Sequence, residues 1–132
     1  MSLDAEERQQ QVAALVGLAG RGFEGDAEDA IEAFTADAEL QDQAGETVVR
    51  GHAELEGFFL DYAGRRARFV VRELVVQGDR VAVAYDLWFR SDSTAYGQHG
   101  MALLRLTDGL IASWRGVWAQ TSGNDLSLWD FD

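Results

Sequence analysis

The apolar positions of this chain change period once. Val12, Leu15, Val16 and Ala19 recur at helical spacing, as do Ala27, Ala30, Ile31 and Phe34, and later Leu55, Phe58, Phe59 and Tyr62. From Arg66 onward the period becomes two, through RFVVRELVVQ, DRVAVAYDLWFR, YGQHGMALLRL and LIASWRGVWAQ. The first regime predicts three amphipathic helices. Asp4 with Glu7 forms a capping box for the first, whose glycines Gly17, Gly20 and Gly22 are expected to loosen it toward a loop, and Asp26 is expected to cap the second. Between the second and third helices lies FTADAELQDQAGETVVRGHAELEGFF, which predicts a short hairpin turning at Ala44-Gly45.

The second regime predicts a meander of four long strands, turned at Gln77-Gly78-Asp79, at the polar loop SDSTA and at Asp108-Gly109. Strands of this length twist and coil, often over a bulge. Helices followed by a meander predict an α+β domain: three N-terminal helices on one face of a curved, mostly antiparallel sheet of about six strands. The chain reads as one domain over 1–132, with 122–132 as an acidic tail whose aromatics would suit a pocket mouth or a partner surface.

Alternation assigns faces. On the first strand Ala38, Leu40 and Asp42 share the inward face, while Glu39, Gln41 and Gln43 face solvent. A carboxylate sent inward must be paired, protonated or chemically useful. Asp42 is therefore the candidate general base; the structural alternative is that it caps the Ala44-Gly45 turn or pairs with Arg50 across the hairpin. Val81, Val83, Tyr85, Leu87 and Phe89 also point inward, as do Trp114, Gly116 and Trp118, which predicts an apolar chamber with room left in it. The outward set Ala82, Ala84, Trp88, Met101, Leu103, Ile111 and Val117 is too apolar for water alone. It predicts a homodimer through the outer sheet face, with Trp88 at the contact and Arg90, Arg105 and Arg115 rimming or crossing it. Asp86 and His99 have outward parity, and His52 reads as a helix-start residue.

Composition narrows the chemistry. At 132 residues, 47% hydrophobic and with a mean hydropathy of -0.18, the chain has the profile of an ordinary globule. There is no cysteine and no lysine, which excludes disulfides, thiolate sites and Schiff-base chemistry. A net charge of -12 disfavours nucleic acid and anionic lipid. No apolar run is long enough to span a bilayer, and the polar MSLDAEERQQQ excludes a secretory signal, so a cytoplasmic location is expected. No His, Asp and Glu spacing makes a metal site, HAELE is not a zinc motif, and no glycine-rich phosphate loop follows a strand.

The order of elements, with AFTADAELQD, VVRGHAEL, QGDRVAVAY and LTDGLIASWRG in sequence, resembles the nuclear transport factor 2-like superfamily from about Val12 to Gln120. Within it the chain looks like the SnoaL-like and ketosteroid isomerase-like small proteins. None of these segments is a strict motif; the resemblance rests on their order and spacing. It implies a cone-shaped α+β barrel. Ketosteroid isomerases carry an aspartate base near the end of the first strand, which falls on Asp42. Their oxyanion-hole tyrosine and protonated aspartic acid fall on Leu18 and Ala102, and a third-helix tyrosine falls on Phe59. Without those donors an enolate loses several kcal/mol of stabilisation, so steroid isomerisation proper is not expected. LTDGLIASWRG also resembles the limonene epoxide hydrolases, but Trp118-Ala119 stands where their second carboxylate is needed, which sets epoxide hydrolysis aside. Polyketide cyclases of the SnoaL type use a single acid/base carboxylate in an apolar cavity, an economy that suits this sequence. The resemblance thus implies a cofactor-independent isomerase, cyclase or lyase acting on a hydrophobic carbonyl compound. Asp42 would be catalytic, and Leu18, Phe58, Tyr85, Phe89, Trp114 and Trp118 would bind substrate, without cofactor or metal. The alternative is a non-catalytic ligand-binding or assembly module of the same fold.

Overall fold

A computed structural model describes residues 4–91 and 94–123. The acidic tail assigned to 122–132 lies outside the described residues beyond Gly123. Helix α1 (Ala5–Phe23) leads to a single turn, α2 (Ala27–Ala30), and a short 3-10 turn (Ile31–Ala33). Strand β1 (Phe34–Asp42), strand β2 (Thr47–Arg50) and helix α3 (Gly51–Leu60) follow. The meander is β3 (Arg68–Gln77), β4 (Arg80–Ser91), β5 (Thr94–Thr107) and β6 (Leu110–Gly123).

The helix starts follow their expected chemistry. Asp4 accepts from the Glu7 backbone N–H at 2.7 Å, and Asp26 from that of Asp29 at 3.2 Å. Two expectations fail on packing. Helix α1 does not loosen at its glycines; it runs unbroken to Phe23. Gly20 and Gly22 instead admit the rings of Phe69 and Phe59, whose nearest atoms lie 2.2 and 2.5 Å from where a Cβ would stand. The second helix is also shorter than its spacing predicts, because Phe34 is already the first residue of β1 and is buried there.

The six strands form one mixed sheet in the order β2-β1-β6-β5-β4-β3. All neighbours are antiparallel except β1 and β6, which pair in parallel and so close the meander onto the N-terminal hairpin. The turn of Asp108 and Gly109 has both residues at positive φ, 54° and 80°, the geometry that suits strand twist. Irregularities between Val71 and Glu73 and between Arg105 and Leu106 bend the long strands. The three helices pack on the inner face of this curved sheet in a cone, where Val16, Leu40, Leu55, Leu104 and Ile111 make a dry core. Ile111 is therefore inward, not outward as its strand was phased from sequence; the break in register between Arg105 and Leu106 changes the parity at the start of β6.

Candidate functional site around Asp42

Asp42 closes β1, on the same side as Ala38 and Leu40, both fully buried. The residue is 9% exposed. Its side-chain partner is not Arg50, and from the turn only the Gln43 backbone N–H reaches it. In the β1–β2 register Glu39 stands opposite Arg50, and their side chains meet at 2.7 Å on the outer face. The Asp42–Arg50 alternative is excluded by parity. The Asp42 carboxylate instead accepts from the indole Nε1 of Trp118, at 3.1 Å to Oδ1 and 3.2 Å to Oδ2. Gln43 reinforces this contact, since its Oε1 accepts from the Trp118 backbone N–H at 2.8 Å.

Burial is the main influence on Asp42, and it raises the pKa above the ordinary carboxylate value. The Trp118 hydrogen bond and the Gln43 backbone N–H oppose that rise, while the charge of Glu46 adds to it. Two phenols feel the same carboxylate. Tyr62, on the turn after α3, is pushed up to about 12 by burial and then by the charge of Asp42. Tyr85, on β4, is raised by the same two causes and by Tyr62.

Glycines make the space for Tyr85. Gly100 and Gly116 lie on the inner face; a Cβ on Gly100 would stand 2.7 Å from the Tyr85 hydroxyl, and one on Gly116 would stand 3.6 Å from it. Gly116 is the ladder partner of Asp42, and Gly100 that of Trp118. The same Gly116 position lies 3.1 Å from Trp114 Nε1. Tyr85 Oη, Trp114 Nε1 and Trp118 Nε1 thus gather around the end of β1. No fully buried side-chain nitrogen or oxygen among the described residues lacks a hydrogen-bond partner, and neither Tyr85 Oη nor Trp114 Nε1 has one there. Both therefore retain contact with space outside the packed core.

The expected substrate-binding residues divide. Tyr85, Trp114 and Phe58 join a ring cluster centred on Phe23, with centroids 6.2, 5.8 and 6.2 Å from it. Phe59, Tyr62 and Phe69 complete the cluster at 5.3, 5.2 and 5.7 Å. Phe23 takes up much of the room that Trp114, Gly116 and Trp118 predict. Leu18 packs half-buried against the core. Phe89 stands apart, stacked on Tyr96 at 5.3 Å and beneath the guanidinium of Arg65. Sequence reasoning missed Phe23 and Tyr62 as neighbours of the site, and treated Tyr85, Trp114 and Trp118 as apolar lining rather than as donors. The legible signal for the last was a glycine beside each tryptophan on the inward side.

On the outer face, Asp86 accepts from Arg72 Nε at 2.6 Å and lies 2.9 Å from His99 Nδ1, with His99 Nε2 3.0 Å from Thr121 Oγ1. Trp88 is mostly buried there, packed with Ala95 against Val70 and Tyr96. Two hollows of about 570 and 500 Å³ open on this face, and neither is lined by Asp42. Among the described residues no group of three or more His, Cys, Asp or Glu is placed to hold a metal, and no helix is long and apolar enough to cross a membrane.

Comparison with known families decides the affiliation: the SnoaL-like domain matches residues 13–114. The chain belongs to the SnoaL-like family. Among solved structures, it is similar to SalBIII, an epoxide hydrolase/cyclase-like enzyme in pyran ring formation in the polyether salinomycin. The two are 25% identical, with a TM-score of 0.72, over 88% of this chain and 93% of that one. An LEH-like epoxide hydrolase of M. tuberculosis matches at 14% identity and TM-score 0.70, over 85% of both chains. A protein of ketosteroid isomerase-like fold from Catenulispora acidiphila matches at 16% identity and TM-score 0.68, over 77% of this chain and 82% of that one. These last two likenesses are of fold. No curated protein matches the chain by sequence. The chain's structural neighbourhood thus includes a protein of ketosteroid isomerase-like fold and an epoxide hydrolase/cyclase-like enzyme.

Proposed function

We propose that this SnoaL-like protein is a cofactor-independent isomerase, cyclase or lyase in which Asp42 is the general acid/base for a hydrophobic carbonyl compound. The observation that carries this reading is a carboxylate 9% exposed, with its pKa raised by burial and without a cationic partner among the described residues. Desolvation makes it a stronger proton acceptor than in water, and the Trp118 indole fixes its direction. Asp42 takes a proton from the carbon next to the carbonyl. The developing enolate oxygen accepts a hydrogen bond from Tyr85 Oη, a phenol that burial holds still further from ionisation. The proton held on Asp42 then returns to a different carbon for isomerisation. In a cyclase, the enolate carbon attacks a second carbonyl in the same molecule and Asp42 returns its proton to the alkoxide formed; in a lyase, the enolate expels a leaving group from the β-carbon and Asp42 protonates it. The 25% identity to a cyclase-like enzyme of pyran ring formation favours ring closure as the class of reaction, not the enolate step in particular. Leu18, Phe58, Trp114 and Trp118 would bound the apolar part of the substrate, and Phe89 its outer end.

The test is exchange of α-protons for deuterium in cyclic and open-chain hydrophobic ketones, followed by proton NMR. Exchange that depends on the protein and disappears in Asp42→Asn supports the reading. Equal exchange in Asp42→Asn removes it.

A second reading draws on two other observations. The Phe23 cluster fills much of the interior, and Met101, Leu103 and Val117 are 60%, 55% and 50% exposed on the outer face. These favour a binding or assembly module that forms a homodimer through that face. The contact would centre on Met101 and Val117, with Trp88 farther along the same face. Sedimentation equilibrium of the native chain and of Met101→Asp separates the cases: a native dimer that the aspartate splits supports the contact, and a native monomer removes it.

A further inference from the structure

The larger hollow on the outer face, of about 570 Å³, is built from two adjacent rows of the sheet. In one row Gln77, Arg80, Arg105, Ser113 and Glu39 follow one another across β3, β4, β5, β6 and β1. In the next, Val75, Ala82, Leu103, Arg115 and Gln41 do the same. Ala82 and Ser113 are short, so the guanidinium-bearing side chains stand around a sunken floor.

The charge arrangement is unusual for this molecule. Acidic residues outnumber basic ones 23 to 11 in the chain, yet three arginines meet here with a single carboxylate. That carboxylate, Glu39, is already engaged by Arg50 at 2.7 Å and by Gln41 at 2.6 Å. Arg80 stands directly opposite Arg105, and like charges so placed destabilise a strand pair. Among the described residues Arg105 makes no ion pair, Arg115 acts on Glu39 only through its charge, and Arg80 has only its exposed neighbour Asp79, at 3.8 Å. An anion placed between the two guanidiniums would relieve that repulsion.

We propose that this trough binds a small organic carboxylate, its head between Arg80 and Arg105 and its apolar body on Val75, Ala82 and Leu103. Two carboxylate oxygens match the paired N–H groups of guanidinium, and Arg115 adds a third positive charge at the edge of the floor. The exposed side chains of Val75 and Leu103 supply the apolar bed. A second copy of the chain is a poorer occupant, because a two-fold axis over these rows would set arginines against arginines. The assignment does not depend on the chemistry at Asp42.

Titration of the full chain with 2-naphthoate, followed by amide NMR shifts, tests it, with 2-naphthalenemethanol as the neutral counterpart. Saturable shifts are expected at Arg80, Leu103 and Arg105. Binding should weaken about tenfold or more for the alcohol, for Arg80→Gln and for Arg105→Gln. Asp42→Asn and Arg90→Gln, the latter an outward arginine beyond the trough, should bind as the native chain does. Circular dichroism establishes that each variant is folded. The proposal is overturned by an absence of saturable shifts, by shifts confined to residues around Asp42, or by a dimer whose trough amides the anion leaves unmoved. Equal weakening in Arg90→Gln, which would mark a general charge effect, overturns it as well.

Discussion

Trp118 Nε1 sits astride the carboxylate of Asp42, 3.1 Å from one oxygen and 3.2 Å from the other. The contact ties the last residue of β1 to β6, two strands that run parallel and are distant in sequence. It also ties the orientation of the carboxylate to its acidity, since a donor shared by both oxygens stabilises the ionised form.

Removing the indole donor should therefore raise the Asp42 pKa further. In Trp118→Phe the ring remains and the N–H is lost, leaving burial and the Glu46 charge opposed only by the Gln43 backbone. Carbon NMR of labelled aspartate should show the Asp42 titration displaced to higher pH. If Asp42 is the base, the acid limb of any activity profile should move the same way. A displacement to lower pH would contradict the assigned contact.

Asp42→Asn should cost activity and add stability. A carboxyl whose folded pKa lies above its unfolded one favours the native state most fully below the unfolded value. That contribution is lost as pH rises through the folded value. Above its folded pKa the native chain holds an ionised group that burial disfavours, which the amide does not. Urea midpoints should be higher for Asp42→Asn near pH 7, and the gap should close as pH falls below the ordinary carboxylate range.

The parts of this arrangement that follow from local geometry were legible in the sequence. Alternation alone puts Asp42, Tyr85, Trp114 and Trp118 on the inner face, because successive strand residues must point opposite ways. What alternation cannot supply is register. Whether Arg50 meets Asp42 or Glu39 depends on a turn in which not only Gly45 but also Gln43 and Ala44 adopt positive φ, 53° and 56°, which lengthens it beyond the Ala44-Gly45 pair. Likewise Ile111 was phased by extrapolating an unbroken strand across an irregular register. The parallel β1–β6 pairing that brings Trp118 to Asp42 is a long-range choice with no local mark. Phe23 escaped notice because it ends a helix whose glycines suggested a loop. Gly20 and Gly22 are contact points for rings, a role that only the packed structure reveals.

Glycines in α1 give a prediction with an internal control. A Cβ on Gly22 would lie 2.5 to 2.7 Å from ring atoms of Phe59, a fully buried side chain with nowhere to move. Gly22→Ala should therefore destabilise the fold by about 1–3 kcal/mol despite the better helix propensity of alanine. Gly17, in the same helix, has nothing within 4 Å of a built Cβ. Gly17→Ala should stabilise by roughly 0.5–1 kcal/mol, the propensity difference alone. Chemical denaturation of both variants against the native chain measures the contrast.

The outer-face cluster of Asp86 makes the opposite pH prediction to Asp42. Burial pushes the Asp86 pKa up, but hydrogen bonds from His99 and Arg72 and the charges of both outweigh it, leaving the carboxyl below its ordinary value. A depressed folded pKa contributes stability that is present above the unfolded value and is lost as pH falls through the folded one. Asp86→Asn removes that contribution and leaves Arg72 without its carboxylate at 2.6 Å. The expected loss near pH 7 is about 1–3 kcal/mol, held toward the lower end because Arg72 is largely exposed. The loss should shrink in acid, where the native carboxylate is itself protonated. Stability of Asp86→Asn that matches the native chain at pH 7, measured by urea unfolding, would show that the cluster adds nothing to the fold.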